Sequence, residues 1–284
     1  MSQLRRALAP DGSPHWLWGE PNDSATTKTA IDLTEAGLAD SLPEIAAWLL
    51  CPDAREALLG IAPAIDGAQD WPLLLPGCPP KAICLGKNFA AHAREFGVEP
   101  PDELVWFAKL PSVLVGPDEP VLIPRWLDTR VDPEAEFVLL IGAPLHEATL
   151  AQAESAIAAW ALGNDVTARK QQGLDRKREW PWLRAKNIQS FGSVGPWWTP
   201  SDCFAPSPDL QIHGRVDGEL RQSGALGDLI WSPAAALVEI SRWCALEPGD
   251  IIFLGTPAGV QGVSAGQTMT VEADGLGLLS NPVK

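Results

Sequence analysis

Short apolar runs broken by glycine and proline dominate the chain after about Lys81, the pattern of a mainly β domain. Pro248-Gly249-Asp250 turns into an expected strand at 251–254, Gln267-Thr268-Met269-Thr270-Val271 reads as another, and Asp274-Gly275 is a hairpin signal. One helix is expected amid them. Thr149 and Gln152 make a capping box, and Leu150, Ala153, Ile157, Trp160 and Ala161 form one apolar stripe. Gly163 closes that helix and delivers Asp165 just past its end. Earlier residues read differently. His15-Trp16-Leu17-Trp18 is at most a short strand. Ser41 caps a helix with Pro43 and Glu44 in its first turn and Ile45, Trp48 and Leu49 at helical spacing. A second short helix is expected over 53–59, stopped by Gly60. Pro76-Gly77-Cys78-Pro79-Pro80 reads as a linker, so the sequence predicts a small domain over 1–79 and a larger one over 80–284.

Within the larger part, Glu134-Ala135-Glu136 opens the run Phe137-Val138-Leu139-Leu140-Ile141-Gly142. Residues two apart in a strand share a face, so Glu134 and Glu136 point the same way, with Val138 and Leu140 continuing their face. Phe137, Leu139 and Ile141 cover the other, and a strand apolar on both faces is normally buried on both. Two carboxylates converging to about 4 Å there repel by about 4 kcal/mol at an effective dielectric of about 20. Protonation, cationic partners or a bound cation would relieve this. Asp165, in Gly163-Asn164-Asp165-Val166-Thr167-Ala168-Arg169, supplies a third carboxylate. With neither Cys nor His in these segments, the oxygen set favours a hard ion such as Mg2+, Mn2+ or Ca2+. The local sequence is equally compatible with both glutamates lying in the wet first turn of an ordinary strand.

Composition narrows the function classes. The 284 residues suffice for a sizeable core, and 46% apolar with 20% charged residues is a globular balance. A net charge of −15 argues against a nucleic-acid partner. Five scattered cysteines without a C-x-x-C pair suit reduced thiols in a cytoplasm. A signal peptide and a membrane span are not expected. Tyrosine is absent, so no catalytic role can fall to one.

Other candidates are His92 and Glu95, three apart, where Glu95 could orient the imidazole as a general base; such a pair is more often a surface feature. Lys109 and Lys186 sit among apolar neighbours, where either could neutralise an anion or snorkel to the surface. Gly255-Thr256-Pro257-Ala258-Gly259 follows an expected strand and could aim a backbone N–H and the Thr256 hydroxyl at an anion, or simply turn the chain. Gly262-Val263-Ser264-Ala265-Gly266 matches G-x-S-x-G, but that motif needs a helix after it and a strand is expected there instead.

In order, Asn88-Phe89-x-x-His92-x-x-Glu95, Phe107-x-Lys109, Glu134-x-Glu136 with Ile141-Gly142, Asn164 to Gln172, Lys186 before Gly195-Pro196, Gln222 to Ile230 and Gly255 to Gly259 resemble the fumarylacetoacetate hydrolase family. The resemblance runs from about Lys81 to Pro282. It implies a mainly β fold with some α, a mixed β-sandwich roll, beside the small N-terminal α/β domain. It implies Mg2+, or Mn2+ or Ca2+, on Glu134, Glu136 and Asp165, with His92 and Glu95 activating water and Lys186 near the metal. Lys109, Arg169, Gln172 and Thr256 are the expected substrate contacts, and a homodimer is the expected assembly. Phe89 in place of Tyr, Pro133 in place of an aromatic and Gln189 in place of Asp bear on substrate choice. The implied activity is hydrolysis of a C–C bond in a 1,3-dioxo acid. Decarboxylation or isomerisation of a 2-oxo acid, or binding without catalysis, are the alternatives.

Overall fold

The strands Ala135–Ile141 and Ile157–Asn164 are buried at every position, because nearly every side chain in both is apolar and neither has a solvent face. In the computed structural model, which describes residues 2–19, 29–95 and 101–284 without the side chains of 92–94, they pair antiparallel near the centre of an 11-stranded sheet. Gly192–Pro200 flanks the pair on one side and Ile251–Phe253 on the other. Beyond Ile251–Phe253 lie Ala82–Gly86, parallel to it, and Val105–Lys109. A four-stranded antiparallel sheet of Glu219–Ala225, Gln211–Val216, Thr268–Ala273 and Gly277–Pro282 forms a second layer. Phe137, Leu139 and Leu162 share one core with Ile212, Val271 and Leu279 of that layer and with Leu237 and Ile240 of the helix Pro233–Trp243. The expected mixed β roll is the observed architecture, and the Asp274-Gly275 turn joins the last two strands.

The helix expected after Thr149 is corrected. The helix opened by Thr149 and Gln152 has its capping box but spans only Leu150–Ser155. Ile157, Trp160, Ala161 and Gly163 belong to the following strand, so Asp165 leaves a strand end and not a helix end. Leu150, Ala153, Ile157 and Trp160 do fall at helical spacing, but the run from 156 to 163 is apolar throughout. Such a run fits a doubly buried strand as well as a helix, and pairing with strands on both sides decides for the strand.

Residues 2–79 add the strands Gln3–Leu8, Pro14–Gly19, Thr29–Asp32 and Ala64–Asp66 to the edge of the large sheet, through Leu4 opposite Trp198. The two expected helices are present as Leu42–Leu49 and Pro52–Ile61, the second running through Gly60. Trp16, Ile45 and Leu49 cover the sheet face that carries Val138 and Leu140. The 76–80 stretch is packed rather than free, with Pro76 and Pro79 buried and the Pro76 carbonyl accepting from Trp198 Nε1 at 2.7 Å. We propose that residues 1–79 are a small unit that shares a core with the 80–284 body. A brief protease digest is then expected to leave 76–80 intact, since nicking needs an exposed, locally unfolding segment; early cleavage there would show a loose linker.

Candidate active site

The register of the central strand pair builds the carboxylate cluster. Asn164 lies opposite Ala135 and Gly163 opposite Glu136. The Asn164 side-chain carbonyl accepts the Glu134 N–H at 2.8 Å, and the Asp165 N–H donates to the Glu134 carbonyl at 2.9 Å. Glu134, Glu136 and Asp165 thus converge from two neighbouring strand ends, and one oxygen of each lies within 4.8 Å of the others. Their exposures are 4%, 1% and 1%, which excludes the wet first turn.

Charge balance around them is uneven. Lys186 Nζ donates to Glu134 Oε2 at 2.6 Å and Asp165 Oδ2 at 2.5 Å. Burial alone would pull its pKa down, but the charges of Asp165 and Glu134 outweigh this and hold it above the ordinary lysine value. Arg169 donates to Asp132 at 2.6 Å, Glu134 Oε1 at 2.5 Å and Gln172 at 2.7 Å. Glu136 has no cation paired with it among the described residues. It accepts the Gly255 N–H at 2.6 Å, and burial, followed by the charges of Asp165 and Glu134, pushes its pKa well up. Gly255 reaches it from a left-handed backbone, φ 94°, where a Cβ would stand 2.9 Å from Asn88 Cβ. A buried carboxylate without a cation is what a bound ion would satisfy. The all-oxygen donor set fits Mg2+, Mn2+ or Ca2+.

A cavity of about 220 Å³ opens onto this cluster, and Glu134, Glu136, Lys186, Arg169, Gln172 and Thr256 all line it. The Thr256 hydroxyl donates to the Ala135 carbonyl at 2.9 Å and accepts from Gln222 at 2.7 Å, so the loop is fastened to the strand that carries the glutamates. His92 lies on the helix Ala90–Glu95, but its side chain is outside the described residues. Both Glu95 carboxylate oxygens stand 3.2 Å from the Gly259 N–H, which ties that helix to the same 255–259 loop.

Lys109 is placed differently from the expected substrate contact. It is 1% exposed, does not line the cavity and lies behind Asp165. Its Nζ is 2.8 Å from Asp165 Oδ1 and donates to the carbonyls of Lys186 at 2.6 Å and Phe191 at 2.5 Å. This geometry makes Lys109 a brace for Asp165 and for the turn that presents Lys186. Lys109→Met is expected to destabilise the fold by about 3–5 kcal/mol, the usual cost of removing one partner from a buried ion pair. Denaturant unfolding measures this, and an unchanged midpoint would refute the brace.

Sequence reasoning missed Lys87, Arg176 and Trp182, which also line the cavity. Trp182 closes over Gly86, where a Cβ would meet its ring at 2.8 Å, and lies edge-on to Phe107 at 5.6 Å. The available signals were positional: Lys87 precedes Asn88, and Arg176 follows Arg169 by two helical turns.

Residues 81–284 match the family described as fumarylacetoacetate (FAA) hydrolase C-terminal, and the chain belongs to that family. Oxaloacetate tautomerase YcgM of Escherichia coli is 32% identical over 195 residues, 69% of this chain and 89% of that protein. A fumarylacetoacetate hydrolase from Exiguobacterium antarcticum superposes with a TM-score of 0.84 at 32% identity, covering 100% of this chain and 99% of that one. Fumarylpyruvate hydrolase from Pseudomonas aeruginosa, solved with Mn2+ and pyruvate, gives a TM-score of 0.68 at 34% identity over 72% of this chain and 89% of that one. Family members are enzymes that include hydrolases, isomerases and tautomerases. No helix among the described residues is long and apolar enough to cross a membrane.

Proposed function

We propose that this chain is a divalent-cation-dependent enzyme of 2-oxo acids that works through an enolate, and that its reaction is keto–enol tautomerisation of an oxaloacetate-like acid. The observation that carries the reading is Lys186, a buried ammonium bridging two of the three clustered carboxylates while facing the cavity. Glu134, Glu136 and Asp165 would hold a divalent ion, which would supply Lewis-acid polarisation of a 2-oxo group. Lys186, kept protonated by Glu134 and Asp165, stabilises the negative charge that develops on the enolate oxygen. Arg169 and Gln172, joined to each other at 2.7 Å, orient the substrate carboxylate, and the Thr256 loop completes the wall. His92 is the base that moves the C3 proton. YcgM supports this assignment by its name and identity.

Hydrolysis of a C–C bond in a 1,3-dioxo acid is the second reading, favoured by the fumarylpyruvate hydrolase likeness and by the Glu95 tie between the His92 helix and the Gly259 loop. There His92 takes its proton from water, and the departing carbon leaves as the same kind of enolate. Side-by-side assays of oxaloacetate tautomerisation, oxaloacetate decarboxylation and acylpyruvate hydrolysis with added Mg2+ separate the readings. Tautomerisation is expected to be fastest; acylpyruvate hydrolysis in excess of it would give the assignment to the hydrolase. General-base help contributes about 10²–10⁴-fold, so His92→Asn is expected to lose that much of either proton-transfer reaction while Mg2+ binding persists. A variant as fast as the parent would remove His92 from the mechanism.

A further inference from the structure

Among the described residues the cavity is lined by four cationic side chains, and they fall into two pairs. Lys186 and Arg169 are engaged by Glu134, Asp165 and Asp132. Lys87 and Arg176 line the same cavity with no ion pair or side-chain hydrogen bond among the described residues. Neither contributes to holding the carboxylate cluster together, and both are free to meet an anion.

Their backbone settings direct them. Lys87 follows the strand Ala82–Gly86 in a left-handed conformation, φ 58°, which non-glycine residues rarely adopt. Asn88 beside it is fixed, its amide donating to the Leu254 carbonyl at 2.9 Å and the Trp231 carbonyl at 3.1 Å, so the turn is set by its surroundings. Arg176 lies on the helix Arg169–Lys177. Positions 169, 172, 173 and 176 share one face of it, about 10 Å from end to end at roughly 1.5 Å rise per residue. Gly173 has no side chain to block the space between. Arg176 therefore meets the cavity from the same helix face as Arg169 and Gln172, which line it too.

We propose that Lys87 and Arg176 bind a second carboxylate of the substrate, one end of which is held at Arg169 and the carboxylate cluster. The substrate class is then a 2-oxo diacid, with Trp182 and Phe107 against its carbon chain. This rests on the 2-oxo acid reading above and adds which residues select among such acids. Charge-assisted contacts to a carboxylate are stronger than neutral ones, although Arg176 is exposed and Lys87 half-buried.

Calorimetry on the Mg2+-loaded protein tests it with 2-oxoglutarate against 2-oxopentanoate, in which a methyl group replaces the distal carboxylate. The parent is expected to prefer the diacid by about tenfold or more, about 1.4 kcal/mol. Lys87→Met and Arg176→Met are each expected to reduce that ratio, the double variant to abolish it, and Lys87→Arg to retain it. A Mg2+ titration of each variant verifies its fold. A double variant with the parent's preference, or a parent that binds both acids equally, overturns the proposal while leaving the 2-oxo acid reading intact. A parent that binds neither acid sinks the 2-oxo acid reading itself, and the proposal with it.

Discussion

Lys186→Met is expected to lower the rate of enolate formation from oxaloacetate by about 10²–10³-fold, the usual loss when one donor to a developing oxyanion is removed. The same change removes the ammonium shared by Glu134 and Asp165, which are 4% and 1% exposed, and leaves Glu134 with Arg169 and Asp165 with Lys109. Removing one partner from a buried ion-pair network costs about 3–5 kcal/mol of stability, so the metal-free variant should unfold at a clearly lower denaturant concentration. Saturating Mg2+ is expected to recover part of that stability, because the ion binds the folded state alone, without recovering the rate. The combination is diagnostic. A residue that only filled space would lose stability and keep its turnover, and a Lys186→Met protein with the parent's rate would remove the ammonium from the mechanism.

Glu136→Gln is expected to behave in the opposite sense. The amide keeps an oxygen to accept the Gly255 N–H and removes a charge that burial and two neighbouring carboxylates disfavour. Metal-free stability should therefore hold or rise. Mg2+ affinity should fall by at least about tenfold, since a carboxylate donor has been replaced by a neutral one, and activity should fall with it. Calorimetric titration and denaturant unfolding on the same sample read both quantities. Unchanged Mg2+ affinity would remove Glu136 from the ion's ligands, and a destabilised metal-free variant would show that its charge is structural.

The core of this site is written locally, which is why the sequence displays it. Glu134 and Glu136 share a strand face, and a run apolar on both sides is normally buried; those two facts make a pair of carboxylates that protonation, cationic partners or a bound cation would relieve, with a wet first turn as the alternative. The family resemblance carried by the ordered motifs from Asn88 to Gly259 then implies that Asp165 joins the two glutamates, with Lys186 near the metal and Arg169 at the substrate. Elements whose state depends on neighbours far along the chain were less legible. The run from 156 to 163 carries helical spacing and strand composition at once, and only its partners at Ala135–Ile141 and Gly192–Pro200 make it a strand. Lys109 has the residue type and setting of a substrate-binding lysine, but the fold turns it behind Asp165, where three short contacts engage its ammonium. Lys87 and Arg176 are single cations without a pattern. Their significance comes from lining a cavity whose other cations are already paired, a relation that exists only in three dimensions.

The most direct test of a cation-held enolate site is the rate of oxaloacetate keto–enol interconversion, followed by the ultraviolet absorbance of the enol. It is measured on the parent protein after chelation with EDTA and again after Mg2+ or Mn2+ is restored in excess. A rate that collapses to the uncatalysed value under EDTA and returns with the ion is predicted. The same catalysed rate with and without EDTA, or no catalysis of either oxaloacetate interconversion or acylpyruvate cleavage in the ion-loaded protein, would contradict it.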